Sequence, residues 1–294
     1  MLTKKIEMFH DFGFTAHYPI DSKIASKTVK NFALNYNNMK LHCNLTLVKL
    51  ASTKISKYLE NEPNATEFMI SAADINKEGV EYFSKYAYGS TFKINLRFLQ
   101  IFKAIGLFFE CPFILEKCYI FEEAISTMQN VVKNASQNEN FIQLIAKYLH
   151  LFIESGLLVS VDISLIMKIL KSTKTISLIS EKALVNFIVH YCEENKQFNN
   201  SPEQNTLISL VRAENLNEKE SAEILQSLRS RKEILTILMK RKLTYEVEND
   251  IDENSLPKRN YIIPTSTKCE ESLNETQMKL FLEDFYKISG KENS

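Results

Sequence analysis

Apolar and polar residues change their rhythm several times along this chain. Phe32 and Leu34 alternate with small or polar neighbours, Asn37-Asn38 can take positive φ, and Leu41 and Cys43 alternate again. That pattern predicts a β-hairpin closed by a short turn. Leu47, Val48, Ala51, Ile55 and Leu59 then fall at helical spacing, and Pro63-Asn64 ends the run. Glu67 to Ala72 reads as another strand, and Asp74-Ile75 leads into a helix carrying Val80, Phe83 and Tyr86. Past Tyr88-Gly89, a short extended piece precedes a helix from Leu99 to Phe108 that is apolar on nearly every side. Such a helix is expected to be buried among other helices. Pro112 breaks it, and a second apolar helix runs from Phe113 to Phe121.

From Glu122 to about Leu243 nothing alternates with period two, so the region is expected to be helical throughout. Phe141, Leu144, Ile145, Tyr148 and Phe152 share one helical face. Asp162 can cap a helix containing Leu165, Ile166, Ile169 and Leu170. Ser180-Glu181 opens another, with Leu184, Phe187, Ile188 and Tyr191 on one stripe, and Asn217 and Glu220 have capping-box spacing. Tyr245 to Asn260 is acidic and polar and reads as linker or disordered segment. Ser272 to Ile288 is strongly amphipathic, with Met278, Leu282 and Phe285 on one face and Phe281 beside them. That helix either lies in a partner's groove or docks back on the chain's own helical region.

Composition removes several function classes. The 36 basic residues balance 36 acidic ones, so the surplus positive charge of a nucleic-acid or membrane-surface binder is missing. The basic run Lys240-Arg241-Lys242, with Arg229, Arg231 and Lys232 before it, has no interleaved aromatics for base stacking. It reads as charge gathered near a helix C-terminus. No segment approaches the roughly 18 uninterrupted apolar residues of a membrane helix, and the first residues lack the apolar core of a secretory signal. The cysteines, Cys43, Cys111, Cys118, Cys192 and Cys269, are odd in number and include no CxxC pair. Reduced, buried thiols in a cytoplasmic or nuclear protein are expected.

Reactive chemistry has no foothold in the sequence. There is no glycine-rich phosphate loop, GxSxG or HExxH, and the histidines are scattered. His150 and His190 fall on helices and are expected to be surface or hydrogen-bonded structural residues. No catalytic, cofactor-binding or metal-binding residue is assigned, no cofactor is expected, and the protein is expected not to be an enzyme.

The element order of residues 30 to 122 resembles a BTB/POZ domain, a protein–protein interaction fold. Cys43-Asn44 stands where many members carry a His-Lys pair, Val48 resembles the leucine of the first core helix, and Ser52 the serine that follows it. Asp74 is similar to the acidic residue opening the central helix, Tyr88-Gly89 to the Tyr-x-Gly turn, and Pro112, Ile114 and Cys118 to the closing Pro, Leu and Cys. The next segment resembles a BACK domain, with Ser180-Glu181 opening a helix, Tyr191 in the place of a tryptophan, and Val211-Arg212 as a later Val-Arg pair.

The resemblance implies an α+β, BTB/POZ-like small sheet covered by helices, followed by an all-α, BACK-like helical domain. The expected divisions are a leader at 1–29, the BTB/POZ-like domain at 30–122, the BACK-like domain at 123–243, and a linker with amphipathic tail at 244–294. It implies a protein–protein interaction adaptor, with a cullin-type ubiquitin ligase scaffold as one partner and an oligomeric scaffold unrelated to ubiquitin as the alternative. Tyr58, Leu59 and Glu60 are the nearest match to a hydrophobic-x-Glu scaffold-binding motif. Met8, Phe9, Phe12 and Phe14 are apolar enough to cover a homodimer interface, and Met278, Phe281, Leu282 and Phe285 form the candidate partner-binding face of the tail. Neither nucleic acid nor membrane is an expected partner.

Overall fold

A computed structural model describes residues 12–16, 22–71, 73, 75–172, 175–198, 201–229, 231–248, 259–262 and 270–290. The chain divides into two compact units, Met1–Ala124 with Ser266–Met278 and Ile125–Thr265 with Lys279–Ser294. The class is mixed α+β, mostly helix with small sheets.

The first unit runs β1 (Gly13–Ala16), α1 (Ser22–Ala25), β2 (Phe32–Tyr36), β3 (Met39–Cys43), α2 (Leu45–Ala51), α3 (Thr53–Asn61) and β4 (Glu67–Ile70). It continues with α4 (Lys77–Ala87), β5 (Phe92–Asn95), α5 (Leu99–Phe108) and the start of α6 (Pro112–Asn134). The predicted hairpin is present: Tyr36 pairs with Met39 across a turn in which Asn37 has φ 51°. On its other edge β2 pairs in parallel with β4, giving the order β3-β2-β4. Parallel neighbours need a crossover, and α2 and α3 supply it. Each opens on a polar cap: Asn44 accepts from the Leu47 N–H and Ser52 from the Ile55 N–H. The cap of α4 is Asn76, which accepts from the Gly79 N–H; Asp74 lies outside the described residues.

The core of this unit is aromatic. Phe83 and Phe109 stack with ring centroids 3.7 Å apart, and Leu34, Val48, Ile55 and Ile94 of the same unit are wholly buried. Ser52 Oγ donates to the Phe109 carbonyl at 2.6 Å, and Cys111 Sγ to the Ala51 carbonyl at 2.9 Å. These bonds pin the end of α5 to the α2–α3 corner. A Cβ on Gly106 would lie 2.7 Å from Leu115 Cγ, so glycine there sets how closely α5 and α6 approach.

Two expectations need correction here. The leader contains a strand: β1 pairs antiparallel with β5, Gly13 opposite Asn95. A four-residue strand whose partner lies about 80 positions away leaves no local signal. The second correction concerns α5, which buries Leu99, Phe102, Ile105 and Gly106 but leaves Leu107 61% exposed. One ten-residue helix over a small sheet has an outer side, and apolar residues there are ordinary.

The second unit holds the rest of α6, then α7 (Glu139–Lys147), α8 (Leu149–Glu154), α9 (Ile163–Leu170), β6 (Ile176–Leu178), α10 (Glu181–Glu194), α11 (Pro202–Ser209), α12 (Glu218–Ser227), α13 (Lys232–Glu248) and β7 (Arg259–Tyr261). Helix α14 (Glu270–Ser289) supplies its closing residues. Three predicted helix starts are present: Asp162 caps α9, Ser180 caps α10, and Asn217 with Glu220 forms a complete capping box on α12. The region is not helical throughout, however. β6 interrupts it and pairs in parallel with β7, Ile176 opposite Arg259. The expected linker is likewise partly ordered, since α13 includes Tyr245 to Glu248 and β7 ends at Tyr261. Three-residue strands are too short to show a period.

Phe102 packs against Phe92 with centroids 4.8 Å apart and is buried. Phe102→Ala is expected to cost about 3–5 kcal/mol in chemical unfolding, and a cost under about 1 kcal/mol would contradict its place in the core. A Cβ on Gly13 would fall 1.9 Å from the Ile94 carbonyl oxygen, which is backbone and cannot swing aside. Gly13→Ala is therefore expected to lose about 1–3 kcal/mol through displacement of β1; an unchanged unfolding midpoint would refute this.

Candidate functional site

The motif residues on α3 face different ways. Leu59 is buried, Tyr58 is half-buried with its ring edge on Phe68 at 5.1 Å, and Glu60 is exposed. One turn before Tyr58, Lys54 Nζ sits 3.6 Å from the Phe108 ring centroid, and Lys57 pairs with Glu110 at 2.7 Å. The outer side of α3 and the end of α5 thus present an aromatic ring, two cations and the exposed Leu107 together. Tyr58 is partly and Glu60 fully open to solvent, and Leu59 anchors the helix.

The apolar leader residues do not form an open surface. Phe12 and Phe14 are buried and pack on Phe121, at 6.5 and 6.2 Å between centroids. They complete their own unit, which corrects the expectation that they cover a second copy. Met8 and Phe9 lie outside the described residues. The tail face is also covered from within. Met278 is buried in the first unit, where Lys117 pairs with Glu275 at 2.5 Å. In the second unit Phe281 meets Tyr148 at 5.6 Å and Phe152 at 5.7 Å, and Phe285 meets Phe141 at 6.0 Å. With Leu282 also buried, the four residues are core rather than a partner-binding face.

The four thiols among the described residues are shielded, and Cys269 lies outside those residues. Burial pushes Cys111 and Cys118 up to about 12, Cys192 up to about 11, and Cys43 upward as well. A thiol in that range has little thiolate and is a poor nucleophile at neutral pH. Among the described residues no cluster of three or more His, Cys, Asp or Glu side chains is placed to hold a metal ion. Among them, too, no helix is long and apolar enough to cross a membrane.

Two features of the second unit escaped sequence reading. His150 is 2% exposed, and neither ring nitrogen has a hydrogen-bond partner. Burial lowers it to about 4, only partly offset by the nearby Ser177 backbone. The expectation of a surface histidine is therefore overturned. The other feature is a buried ionic cluster at the N-terminus of α10. The Glu181 carboxylate is fully enclosed and pairs with Arg259, itself 3% exposed, at 3.0 Å. It also accepts from the Tyr261 hydroxyl at 2.8 Å and the Arg212 N–H at 3.0 Å. Burial and the Glu181 charge push the Tyr261 phenol upward. The Ser-Glu and Val-Arg pairs marked the helix start and the later turn, but nothing local pointed to Arg259.

Beside this cluster, a cleft of about 850 Å³ is lined by Asn140, Gln143, Lys147, Ser177, Asn260, Asp284 and Lys287, among others. Asp284 accepts from Lys147 and from the Tyr148 hydroxyl at 2.7 Å. Burial alone would push its carboxyl upward, but those bonds with the Lys147 and Lys287 charges hold it below the usual carboxylate range. No family model and no curated protein matches the chain.

The histidine gives a pH prediction. In the unfolded chain its imidazole titrates at its ordinary value, about 6.5, whereas in the fold it resists protonation down to about 4. Between those values the unfolded state binds more protons, so stability falls as pH falls from about 6.5 to about 4. This one group contributes up to about 3 kcal/mol to that loss. His150→Leu should remove it, read as the difference between variant and wild-type unfolding free energies from pH 4.5 to 7.5. A difference that does not vary with pH would contradict the buried neutral ring.

Proposed function

We propose that this protein is a non-enzymatic adaptor for protein–protein interaction, with a BTB/POZ-type first unit and a BACK-type helical second unit. The observation that carries the reading is the element order of the first unit. The resemblance implies a hairpin, a helix, a strand, a helix, a short extended piece and two closing helices, and the unit follows that order with the first helix divided in two at Ser52 and the strand parallel to β2. The residues behind that resemblance have structural work. Val48 is core, Ser52 caps α3, Tyr88 accepts the Asn44 N–H at 2.7 Å on its hydroxyl, and Gly89 turns with φ 71°. Pro112 opens α6, and Ile114 and Cys118 are buried. In the second unit Ser180 caps α10, and the Tyr191 hydroxyl donates to the Val161 carbonyl at 2.8 Å.

The scaffold proposed is of the cullin type, in a cytoplasmic or nuclear ubiquitin ligase complex. Its contact would be the surface around Tyr58 and Glu60, with Leu107 exposed alongside. The alternative is an oligomeric scaffold unrelated to ubiquitin; of its candidate self-association residues Phe12 and Phe14 are internal, and Met8 and Phe9 lie outside the described residues. A purified cullin N-terminal domain is expected to bind the full chain with micromolar affinity. Tyr58→Ala with Glu60→Lys should weaken it about tenfold or more while leaving the melting temperature nearly unchanged. No retention at tens of micromolar by a folded wild-type chain would reject the ubiquitin-ligase part of the reading.

A further inference from the structure

The two oxygens of Glu181 serve two different partners. Oε2 accepts the Arg212 N–H at 3.0 Å, a contact within the helical body. Oε1 faces β7 and takes both Arg259 Nε at 3.0 Å and the Tyr261 hydroxyl at 2.8 Å. The other anchors of β7 also come from around it. The Leu210 carbonyl accepts Arg259 Nη2 at 2.9 Å, Asn215 Nδ2 donates to the Tyr261 oxygen at 2.8 Å, and the Leu178 carbonyl accepts the Ile262 N–H at 2.9 Å. Alternate side chains of a strand point the same way, so Arg259 and Tyr261 enter together while Asn260 is exposed.

One side of the socket is held without the occupant. Glu181 is the first residue of α10, where the helix N-terminus favours negative charge, and Arg212 holds its other oxygen. A strand that only closed a fold would be held as well by apolar side chains, since a buried ion pair gains little over a hydrophobic isostere. Here the grip is main-chain pairing plus two polar side chains, and this is how a sheet edge reads an extended peptide. The fit in cis is also incomplete: Arg259 Nη1 is buried without a hydrogen-bond partner.

We propose that β6, with Glu181, Leu210 and Asn215, is a peptide-recognition site that Arg259–Tyr261 fills in cis and that takes an extended Arg-x-Tyr segment of a partner protein when β7 leaves. The tethered strand competes at an effective concentration on the order of millimolar, so it gates the site against weak ligands. This holds independently of what the first unit binds.

The probe is a fluorescent peptide with the sequence of residues 257–265, titrated into the full chain. The Arg259→Ala/Tyr261→Ala chain should bind it at least about tenfold more tightly than wild type does, because the cis competitor is gone. Replacing the peptide's arginine by alanine should abolish that binding. A folded double variant that ignores the peptide overturns the proposal, as does equal binding by the arginine-less peptide. Should the double variant not fold, hydrogen exchange on the wild-type chain decides the matter. Excess peptide is expected to speed exchange at the Asn260 to Ile262 amides by displacing β7, and unchanged exchange at millimolar peptide overturns the proposal. A wild-type dimer in sedimentation that Arg259→Ala abolishes would put a second copy's strand in the socket, and would overturn the partner reading.

Discussion

Sheets of two or three short strands are marginal in water without an apolar cover, and every sheet among the described residues is of that size. The helices therefore decide whether the strands exist at all. In the first unit the cover is aromatic, with the Phe83–Phe109 stack and Phe102 lying over β2 and β5. In the second, Ile176 and Leu178 of β6 are wholly buried among helices. Two of the strand pairs are parallel, β2 with β4 and β6 with β7. Parallel strands cannot be joined by a tight turn, so each such pair forms only as the chain between its strands folds.

Legibility in the sequence followed the range of the interaction. Asn37-Asn38 announced the hairpin because a two-residue turn carries its own conformational demand. Asp162, Ser180 and the Asn217–Glu220 box announced helix starts because a cap bonds to an amide two or three residues away. The three missed strands, β1, β6 and β7, are three or four residues long and take their partners from far along the chain. The amphipathic pattern of the tail was read correctly as a face, but a pattern does not say what covers it. Tyr148, Phe152 and Phe141 do. Likewise, Glu181 at the start of a helix looked like an ordinary first-turn acid. Its burial depends on Arg259, which the composition of its neighbours assigned to a linker.

That ion pair differs in kind from the surface pairs. Lys40–Glu67 and Lys77–Glu81 are well exposed on both sides, and pairs of that sort add little to stability. Glu181 and Arg259 are both taken out of water, so each is costly without the other. The two therefore hold or release together, which makes β7 an all-or-none attachment rather than a frayed edge.

The shielded cysteines have a practical consequence. Cys111 and Cys118 belong to the first unit and Cys192 to the second, and all three are buried with little thiolate at neutral pH. Alkylation at any of them must wait for the surrounding structure to open. The chain thus carries separate native reporters of breathing in each unit, and the labelling rate at Cys192 can be followed against that at Cys111 without introducing a single foreign probe.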